Sequence, residues 1–569
     1  MTADKPENIG ATADTQTEEK ELRTSKLSAE QQAAVRIQST KRSDKIRQIS
    51  PDSFNPAAHF YPRVLNATVH PMVASFMNLS NKQIVKRYTH LNPKTDKQAL
   101  TEALAYIPKY LRWAGADLFH VTNENGKREM LVVETNSCPS GQKSMPLVNE
   151  NEEYGGYKVM MEHAFVPMLE KKRIEDPDSY VEGGCLAVIY DKNLMEASGY
   201  ASAMATVFDE KVYLVEIRDQ FGLEADISDE KLNEIRSCKW VDGVCYVRAG
   251  RVVVPKGKAS ADAEPAATVA KVDEEKPEWV ACRAVFRYVT SRPWNRIPIK
   301  ARTVILNPVI VCLAGGRNKT VAAKAYDLYN AELRPNGFNI TVPETIRDVA
   351  FEDVPTWVQS FGGRAVVKNP YSNAGQGVYT ITNQGELNDF MAMDHPYGQF
   401  IVQQLVGNTE WSSICPGRSF YHVGTMPKKD CKTFVFDLRV MVCGTEKGFR
   451  PVAMYARTAA NELADKLDED TNSWGILGTN LSVRSTDGTW DSETERLLLL
   501  DRKDFNRLGI GSDDLIEAYI QTVLATTAID KMCARMMEED GALNLSMFRT
   551  VNNDDALVAE IMEGNPGQW

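Results

Sequence analysis

Apolar and polar residues alternate along the chain in blocks that predict helices and strands in turn. Apolar residues at helical spacing in 97–115 predict a helix, and the two runs after it, 117–122 and 128–135, are typical of strands. The sequence NENGK (123–127) between these runs favours a tight turn. We therefore expect the two strands to pair as a hairpin.

The middle of the chain predicts a parallel sheet. The apolar run 183–191 ends in an aspartate, 198–208 has helical spacing, and 211–219 again has the pattern of a strand. Together they indicate a strand–helix–strand unit, which joins parallel strands. From residue 299 onward, apolar runs alternate with loops and only occasional helices, so the second half is predicted to be rich in strands.

Two stretches lack the apolar periodicity of a packed domain. Residues 1–50 are rich in Thr, Lys, Glu, Gln, Ser and Asp and poor in aromatic residues. Such a composition buries too little apolar surface to offset the entropy lost on ordering, so we expect a disordered N-terminal arm. Residues 255–278, rich in Ala, Lys, Glu and Pro, predict a flexible loop inserted within one domain.

Composition narrows the class of protein. The 569 residues carry 66 Lys and Arg against 77 Asp and Glu, a net charge of −11, which argues against a protein that mainly coats nucleic acid or anionic lipid. No run reaches the ~18 apolar residues of a membrane span, and the first residues lack the apolar core of a signal peptide. The ten cysteines lack metal-type spacing. We expect a cytoplasmic protein with no membrane or nucleic-acid partner.

A loop of small residues follows a predicted strand in the segment GGRAVVKNPYSNAGQGVYTI (362–381). The strand ends in Lys368, and the loop contains Asn373, Gly375 and Gly377. Glycines let backbone amides approach a phosphate, while a lysine neutralises its charge. The segment predicts a phosphate-binding loop, although in isolation the same pattern also fits a hairpin turn with a solvated lysine.

The run QFIVQQLVG (399–407) favours the phosphate-binding interpretation. It predicts a strand followed by a short extended linker at Gln403, Gln404 and Val406. Backbone groups in such a linker are suited to pairing with the edge of an adenine base.

Charged residues then recur on predicted neighbouring strands. Asp437 and Arg439 are two residues apart and so point to one face of a strand, Arg457 lies on the following strand, and Asn480 comes within the sequence TNLS. Cationic and amide side chains on adjacent strands suit a triphosphate or a forming acyl phosphate, because developing charge must meet fixed donors. An exposed sheet face with surface ion pairs is the alternative.

In this order, the lysine strand, glycine loop, adenine linker, Asp-x-Arg strand, arginine strand and TNLS sequence resemble the ATP-grasp superfamily of carboxylate–amine ligases. The resemblance covers about 300–500 and implies an ATP-grasp fold of mixed α/β and α+β class, with ATP and Mg²⁺ as cofactors. These enzymes bind Mg²⁺ through an Asp on one strand and a Glu-x-Asn on its hairpin partner, since the hard cation prefers carboxylate and amide oxygens.

Two segments compete for that metal site. The N-terminal hairpin supplies Asp117, Glu134 and Asn136. The family usually has a further acidic residue after the second lysine, where this chain has Ser372 and Asn373, so either Asp117 or a C-terminal carboxylate must supply the missing ligand. The C-terminal alternatives are Glu560, with Met562 in the place of the Asn, or Glu563 and Asn565, which shift the strand register.

A Glu-x-Asn hairpin ahead of the ATP-binding core resembles the permuted ATP-grasp fold of eukaryotic glutathione synthetase and glutathionylspermidine synthetase. Segment 306–328 resembles the family's segment in which a lysine at a helix start reaches the phosphates; Lys319 is the match and Lys324 the alternative. Segment 241–250 resembles the strand that brings an arginine into the substrate cleft, here Arg248.

The resemblance also implies a division into domains. Residues 51–180 would complete the ATP-grasp core with the metal hairpin, 181–300 would form a Rossmann-like substrate domain, and 301–569 would bind the nucleotide. The loop 139–146, next to the hairpin, offers Ser140 as a substrate contact, and a plain turn is the alternative.

The implied function is an ATP- and Mg²⁺-dependent ligase that joins a small carboxylate to an amine through an acyl phosphate. Lys319 and Lys368 would hold phosphates, and Arg439 and Arg457 would stabilise the carboxylate and its phosphorylated intermediate. A non-catalytic ATP-binding scaffold and an ATP-grasp phosphotransferase remain alternatives, and a homodimer is left open.

Overall fold

The computed structural model describes residues 46–217, 236–249, 278–372, 375–427, 429–468, 471–484 and 490–563. The strands are β1 (Ile46–Ile49), β2 (Trp113–Asn123), β3 (Arg128–Ser137), β4 (Cys185–Tyr190), β5 (Val212–Glu216), β6 (Cys238–Val241), β7 (Val244–Ala249), β8 (Glu278–Tyr288), β9 (Val304–Leu306), β10 (Thr345–Ala350), β11 (Ala365–Lys368), β12 (Val378–Ile381), β13 (Gln399–Gln404), β14 (Phe420–His422), β15 (Phe436–Thr445), β16 (Gly448–Thr458), β17 (Ser482–Arg484), β18 (Trp490–Ser492) and β19 (Leu497–Leu498).

Helices lie between and after these strands. They are α1 (Pro56–His59), α2 (Pro62–Leu65), α3 (Pro71–Met77), α4 (Asn81–Leu91), α5 (Lys97–Leu104), α6 (Gly156–Met160), α7 (Val166–Glu175), α8 (Leu194–Phe208), α9 (Lys319–Leu333), α10 (Val354–Ser360), α11 (Gln384–Ala392), α12 (Ser473–Leu477), α13 (Phe505–Leu508), α14 (Ser512–Met536), α15 (Leu545–Val551) and α16 (Asp555–Glu563). Short 3-10 or π turns occur at Gln142–Ser144, Met161–Phe165, Trp294–Arg296, Cys312–Gly316, Arg334–Asn336, Phe351–Asp353 and Thr494–Arg496.

A sheet of seven strands has the order β1-β5-β4-β8-β7-β6, with β9 also beside β8. Its strands β5, β4, β8 and β9 run parallel, and α8 connects β4 to β5. The predicted strand–helix–strand unit is therefore confirmed. The chain is a mixed α/β protein, as expected.

Two antiparallel sheets contain most of the remaining strands. One has the order β10-β13-β11-β12, and the other has the order β14-β2-β15-β16-β19 with β3 also beside β2. The hairpin of β2 and β3 is the one predicted from the sequence. Its turn is closed by Asn123, whose side-chain oxygen accepts hydrogen bonds from the backbone N–H groups of Asn125 and Lys127.

The sheet of β10 to β13 has a core of its own, around Phe400 and Phe390, separate from the large core that contains the other two sheets. Helix α14 lies in the large core and packs against β2, β3 and β15. Alternation along β2 places Ala116 and Leu118 on the opposite face from Asp117. The odd-numbered face of β2 is thereby left for a cleft between the two antiparallel sheets.

The helix predicted over 97–115 is only half as long as expected. Helix α5 ends at Leu104, and the chain enters β2 at Trp113. Pro108 interrupts the helical pattern because proline has no N–H to donate and restricts the residue before it. The three N–H groups that follow this proline bind the side chain of Asp530 on α14 instead.

The C-terminal region also differs from the prediction of a strand-rich second half. Strands dominate up to β19, but α13 to α16 then follow. The segment that offered the alternative metal ligands forms α15 and α16, so the strand registers considered for Glu560 and Glu563 do not occur. Asn565 lies outside the described residues.

The boundary of the predicted N-terminal arm also differs. Residues 46–49 form β1, which pairs with β5, and residues 1–45 lie outside the described part of the chain. Most of the predicted loop 255–278 lies outside it as well. None of the described helices is long and apolar enough to cross a membrane.

Candidate active site

A cleft of about 1040 Å³, counted to its open mouth, separates the two antiparallel sheets. It brings together most of the residues that the sequence singled out, from four distant parts of the chain. Those that line it are Asp117, Glu134, Asn136, Lys319, Lys368, Gly375, Gln403, Gln404, Val406, Arg439, Arg457 and Asn480. The structure thus brings these segments together at one cleft, while Asn373 lies outside the described residues.

Strand pairing places three charged residues in a row across one wall. Arg439 on β15 lies directly opposite Asp117 on β2, which lies directly opposite Glu134 on β3. Residues paired in this way share a face of the sheet, so all three side chains point into the cleft. Tyr455 on β16 extends the row beyond Arg439.

Asp117 is held by two arginines. Its carboxylate accepts a hydrogen bond of 2.6 Å from Nη2 of Arg439 and lies 3.0 Å from Nη2 of Arg457. Burial by itself would raise the pKa of Asp117, but the two guanidiniums outweigh burial and hold that pKa below its usual value. At the neighbouring Asp437, burial raises the pKa despite the contact with Arg457.

The two arginines differ in the donors that they leave for a ligand. Arg439 uses Nε and Nη2 on Asp117, while its Nη1 donates to the carbonyl of Ser140 at 3.1 Å and to the hydroxyl of Tyr455 at 3.2 Å. Arg457 uses Nε and Nη2 on aspartates, and its Nη1 donates to no described residue. Arg457 is therefore the arginine that can donate to an anion in the cleft.

Two lysines face this wall from the other side. Lys368 ends β11 and donates to Oε1 of Gln403 at 2.6 Å. Burial lowers the pKa of Lys368 to about 8, and the charge of Glu134 opposes part of that shift. Lys319 is the first residue of α9; its Nζ donates to the backbone carbonyl of Ser372 and lies 3.4 Å from Oε1 of Glu134.

The alternative lysine does not reach the cleft. Nζ of Lys324 lies 2.7 Å from Asp348 and donates to the carbonyl of Val551 at 2.8 Å. Lys319 is thus the lysine of this segment that the structure brings to the site.

The glycine loop brings backbone close to the lysine side. Gly375 lines the cleft with φ +77°, and a Cβ there would lie 3.2 Å from the ring of Trp474. Gly377 has φ +63°, and a Cβ there would lie 2.4 Å from Nδ2 of Asn369. Both positions favour glycine, because a side chain at positive φ is strained, and at Gly377 a Cβ would also have no room.

The linker after β13 presents one backbone donor. Leu405 pairs through both its N–H and its carbonyl with Ser413, and the N–H of Gln404 donates to Glu344. The N–H of Val406 has no hydrogen-bond partner among the described residues. A base could be recognised through that group, between the side chains of Phe119, His422, Trp474 and Leu477 that also line the cleft.

His422, at this end of the cleft, carries no charge at neutral pH. Burial lowers the pKa of His422 to about 3, so the imidazole is neutral at neutral pH. A neutral, partly aromatic pocket at one end and lysines at the other match the two ends of a nucleotide.

The predicted metal ligands have the right chemistry for Mg²⁺, but two of them are engaged by cations. Both carboxylate oxygens of Asp117 bind arginines, as described above. Oδ1 of Asn136 accepts a hydrogen bond of 3.1 Å from Nη1 of Arg317. Glu134 is the most available, with its side chain 30% exposed and Lys319 3.4 Å away. This arrangement does not fit a three-ligand Mg²⁺ site, and the described residues contain no cluster of three His, Cys, Asp or Glu suited to a metal.

Ser140 serves the protein's own structure. Its hydroxyl donates to Glu196 at 2.9 Å, and the same carboxylate accepts from the N–H groups of Gly141 and Gln142. The loop that was a candidate for binding substrate is thus fixed by a buried glutamate of α8, and Ser140 does not line the cleft.

Three further candidates lie elsewhere. Arg248 lies on β7 opposite Trp279 of β8, in the seven-stranded sheet. Glu560 accepts a hydrogen bond of 3.2 Å from Nε of Arg292, and Glu563 is exposed at the end of α16. The cleft lining includes none of these residues.

Sequence reasoning missed several residues at the site. Arg317 precedes Lys319 by two positions, and the dense cationic sequence GGRNK was a usable signal for it. No such signal marked four aromatic residues, Phe119, His422, Trp474 and Tyr455. An aromatic residue in a strand or helix is usually a core residue, and only the position of the partner sheet shows that it lies at a site.

No family model matches the chain, and no curated protein matches it. Solved structures that are similar to it include the following two. The apo form of the glutathione synthetase like-effector GSS30 from Globodera pallida is 9% identical, with 75% of this chain and 93% of that chain covered, at a TM-score of 0.32. A RimK domain ATP-grasp protein from Sphaerobacter thermophilus DSM 20745 is 13% identical, with 48% and 90% covered, at a TM-score of 0.24. The proposals below rest on the cleft itself.

Proposed function

We propose that this protein is an ATP-dependent ligase of the ATP-grasp type, which joins a small carboxylate to an amine. The observation that carries the proposal is the convergence in one cleft of Lys319, Lys368 and the open donor of Arg457 with the free N–H of Val406. A linker for the base and fixed cations for the phosphates are the two requirements of a nucleotide site.

In the proposed reaction, an oxygen of the substrate carboxylate attacks the γ-phosphorus, and the bond from that phosphorus to ADP breaks. The amine nitrogen then attacks the acyl carbon, phosphate leaves, and the nitrogen loses a proton. No protein group needs to form a covalent bond, because phosphoryl transfer depends on positioning and electrostatic stabilisation.

Each residue has a definite task in this scheme. Lys319 and Lys368 hold the phosphates, and Val406 donates to the base. Nη1 of Arg457 stabilises the charge that develops on the acyl phosphate, while Arg439 positions Asp117 and thereby Arg457. No step is assigned to a metal ion, since Asp117 and Asn136 are engaged by arginines.

The domain division belongs to the same proposal. We propose that the hairpin from 51–180 completes an ATP-grasp core formed mainly by 301–569, which would be a permuted arrangement. Pairing of β2 with β15 supports this, because it joins strands more than 300 residues apart. Segment 181–300, which includes the parallel strands β4, β5 and β8, would be the Rossmann-like substrate domain.

The test is ADP release by the full-length protein with pooled amino acids and polyamines, for the parent, Lys368→Ala and Lys319→Ala. Deleting one preorganised charged group should cost about 2.7–4 kcal/mol of transition-state stabilisation, or roughly 100- to 1000-fold in rate. The control is Lys531→Ala, whose ammonium pairs with Glu332 outside the cleft. Parent-like turnover in both site variants would show that the site is wrongly assigned.

A second candidate is a nucleotide-binding protein without ligase turnover. The engagement of Asp117 and Asn136 by arginines favours it, because these oxygens are then not offered to a metal that bridges the phosphates. Saturable ATP binding with no ADP release across the whole pool would select this candidate over the ligase.

A further inference from the structure

Positive charge exceeds negative charge where the phosphates would lie. Three carboxylates face five cationic side chains, a formal excess of two positive charges within this set. The carboxylates are Asp117, Glu134 and Asp437, and the cations are Arg317, Lys319, Lys368, Arg439 and Arg457. Such an excess favours an anionic ligand that arrives with its own charge unneutralised.

Arg317 occupies a defined position in this set. It is only 7% exposed and lines a pocket next to the cleft; Lys319, Lys368 and Glu134 line both. Nη1 donates to Oδ1 of Asn136 at 3.1 Å. Nη2 donates to the backbone carbonyl of Ser137 and, at 3.1 Å, to that of Cys138. These bonds to an amide oxygen and two backbone carbonyls hold the guanidinium in place beside Asn136.

This arrangement competes with a divalent cation for the same oxygen. A metal bound at Oδ1 of Asn136 would have to displace Arg317 or lie next to its guanidinium. Both oxygens of Asp117 are already bound to arginines, so Glu134 alone would remain as a charged ligand. Like-charge repulsion and the loss of two ligands both oppose metal binding here.

We infer that Arg317 takes the place of a metal ion, and that the cleft binds the nucleoside triphosphate free of divalent cation. The phosphates would be met by Arg317, Lys319 and Lys368. The guanidinium suits this role, because it is a cation that its hydrogen bonds to Asn136 and to two backbone carbonyls hold in place. This inference rests on the proposed function, since it presumes that a nucleotide occupies the cleft.

The first experiment measures ATP binding to the full-length protein by calorimetry, in EDTA and in excess MgCl₂. The inference predicts that the affinity in EDTA is equal to or tighter than the affinity in MgCl₂. Binding that requires MgCl₂ would overturn the inference and leave the proposed function intact. Absence of ATP binding under both conditions would overturn the proposed function, and the inference with it.

The second experiment compares Arg317→Met and Arg317→Lys with the parent. Arg317→Met should weaken binding of ATP in EDTA by at least about tenfold, since one charge-assisted contact is lost. The loss in MgCl₂ should be smaller, because Oδ1 of Asn136 becomes available to the metal. Arg317→Lys, which keeps the charge, should fall between Arg317→Met and the parent.

The control is Arg87→Met, which removes an exposed arginine paired with Asp513 far from the cleft. Its affinity should equal that of the parent in both buffers. If Arg317→Met does not fold by circular dichroism, Arg317→Lys and the parent still decide the outcome. Parent-like affinity in EDTA for a folded Arg317 variant would overturn the assignment.

Discussion

Burial sets the pH at which Lys368 loses its charge. Burial lowers its pKa to about 8, against about 10.4 for an exposed lysine. The ammonium is therefore charged below pH 8 and is lost above it in the free protein, whereas bound phosphates favour the charged form. Because charging a buried lysine costs folding free energy, the unliganded protein should also gain stability from this group as pH rises from about 8 to 10.4.

We predict that ATP affinity is level below pH 8 and falls as pH rises above it. The measurement is the dissociation constant for ATP between pH 6.5 and 9.5. Lys368→Gln should bind more weakly at neutral pH and lose the decline above pH 8. A decline of equal size in Lys368→Gln would assign the pH dependence to another group.

Helix α14 organises the hairpin of the site through one buried carboxylate. Asp530 accepts hydrogen bonds from the side chain of Tyr106 and from three consecutive backbone N–H groups, of which that of Leu111 lies at 2.7 Å. These bonds fix the segment that leads into β2. Asp117 is six residues beyond Leu111, so the position of the charged row depends on this helix.

Asp530→Asn should lower the free energy of unfolding by about 3 kcal/mol, because an amide nitrogen would face N–H donors and hydrogen bonds to a charged group are worth about 1.5–3 kcal/mol each. The matched control is Asp513→Asn on the same helix, whose exposed carboxylate pairs with Arg87. It should change stability by less than about 0.5 kcal/mol. Urea unfolding measures both, and equal losses would refute the special role of Asp530.

At the scale of the whole molecule, the cleft lies between two sheets with separate cores. A nucleotide held by Val406 and Lys368 on one side and Arg457 on the other would connect them. Ligand binding to the folded state alone adds about 2.7 kcal/mol of stability at a ligand concentration one hundred times Kd. Binding should therefore protect the smaller sheet most, because that sheet has the smaller core.

We predict that ATP at one hundred times Kd slows amide hydrogen exchange in β10 to β13 more than in the seven-stranded sheet. Lys368→Gln at the same ATP concentration should show less protection. Uniform protection across all three sheets would indicate that the nucleotide does not bridge these two parts of the protein.

Local pattern was sufficient for several elements. The NENGK turn, the β2 and β3 hairpin and the unit of β4, α8 and β5 are defined by residues close in sequence. The length of the helix after residue 97 could not be predicted from local pattern. The N–H groups beyond Pro108 donate to Asp530, which lies more than 400 positions away in the sequence. Helix α14 was missed because strand-like runs before it set the expectation for the whole C-terminal half.

The sequence by itself determined which residue types gather at the site, since the lysine, glycine, Asp-x-Arg and Glu-x-Asn patterns are local. Only the tertiary structure decided which of them act together. Pairing of β2 with β15 ties Asp117 to Arg439, and the start of α9 brings Arg317 onto Asn136. The physical reason is that a charged group's role depends on the charges within a few ångströms of it, and strand pairing across the whole chain sets those neighbours.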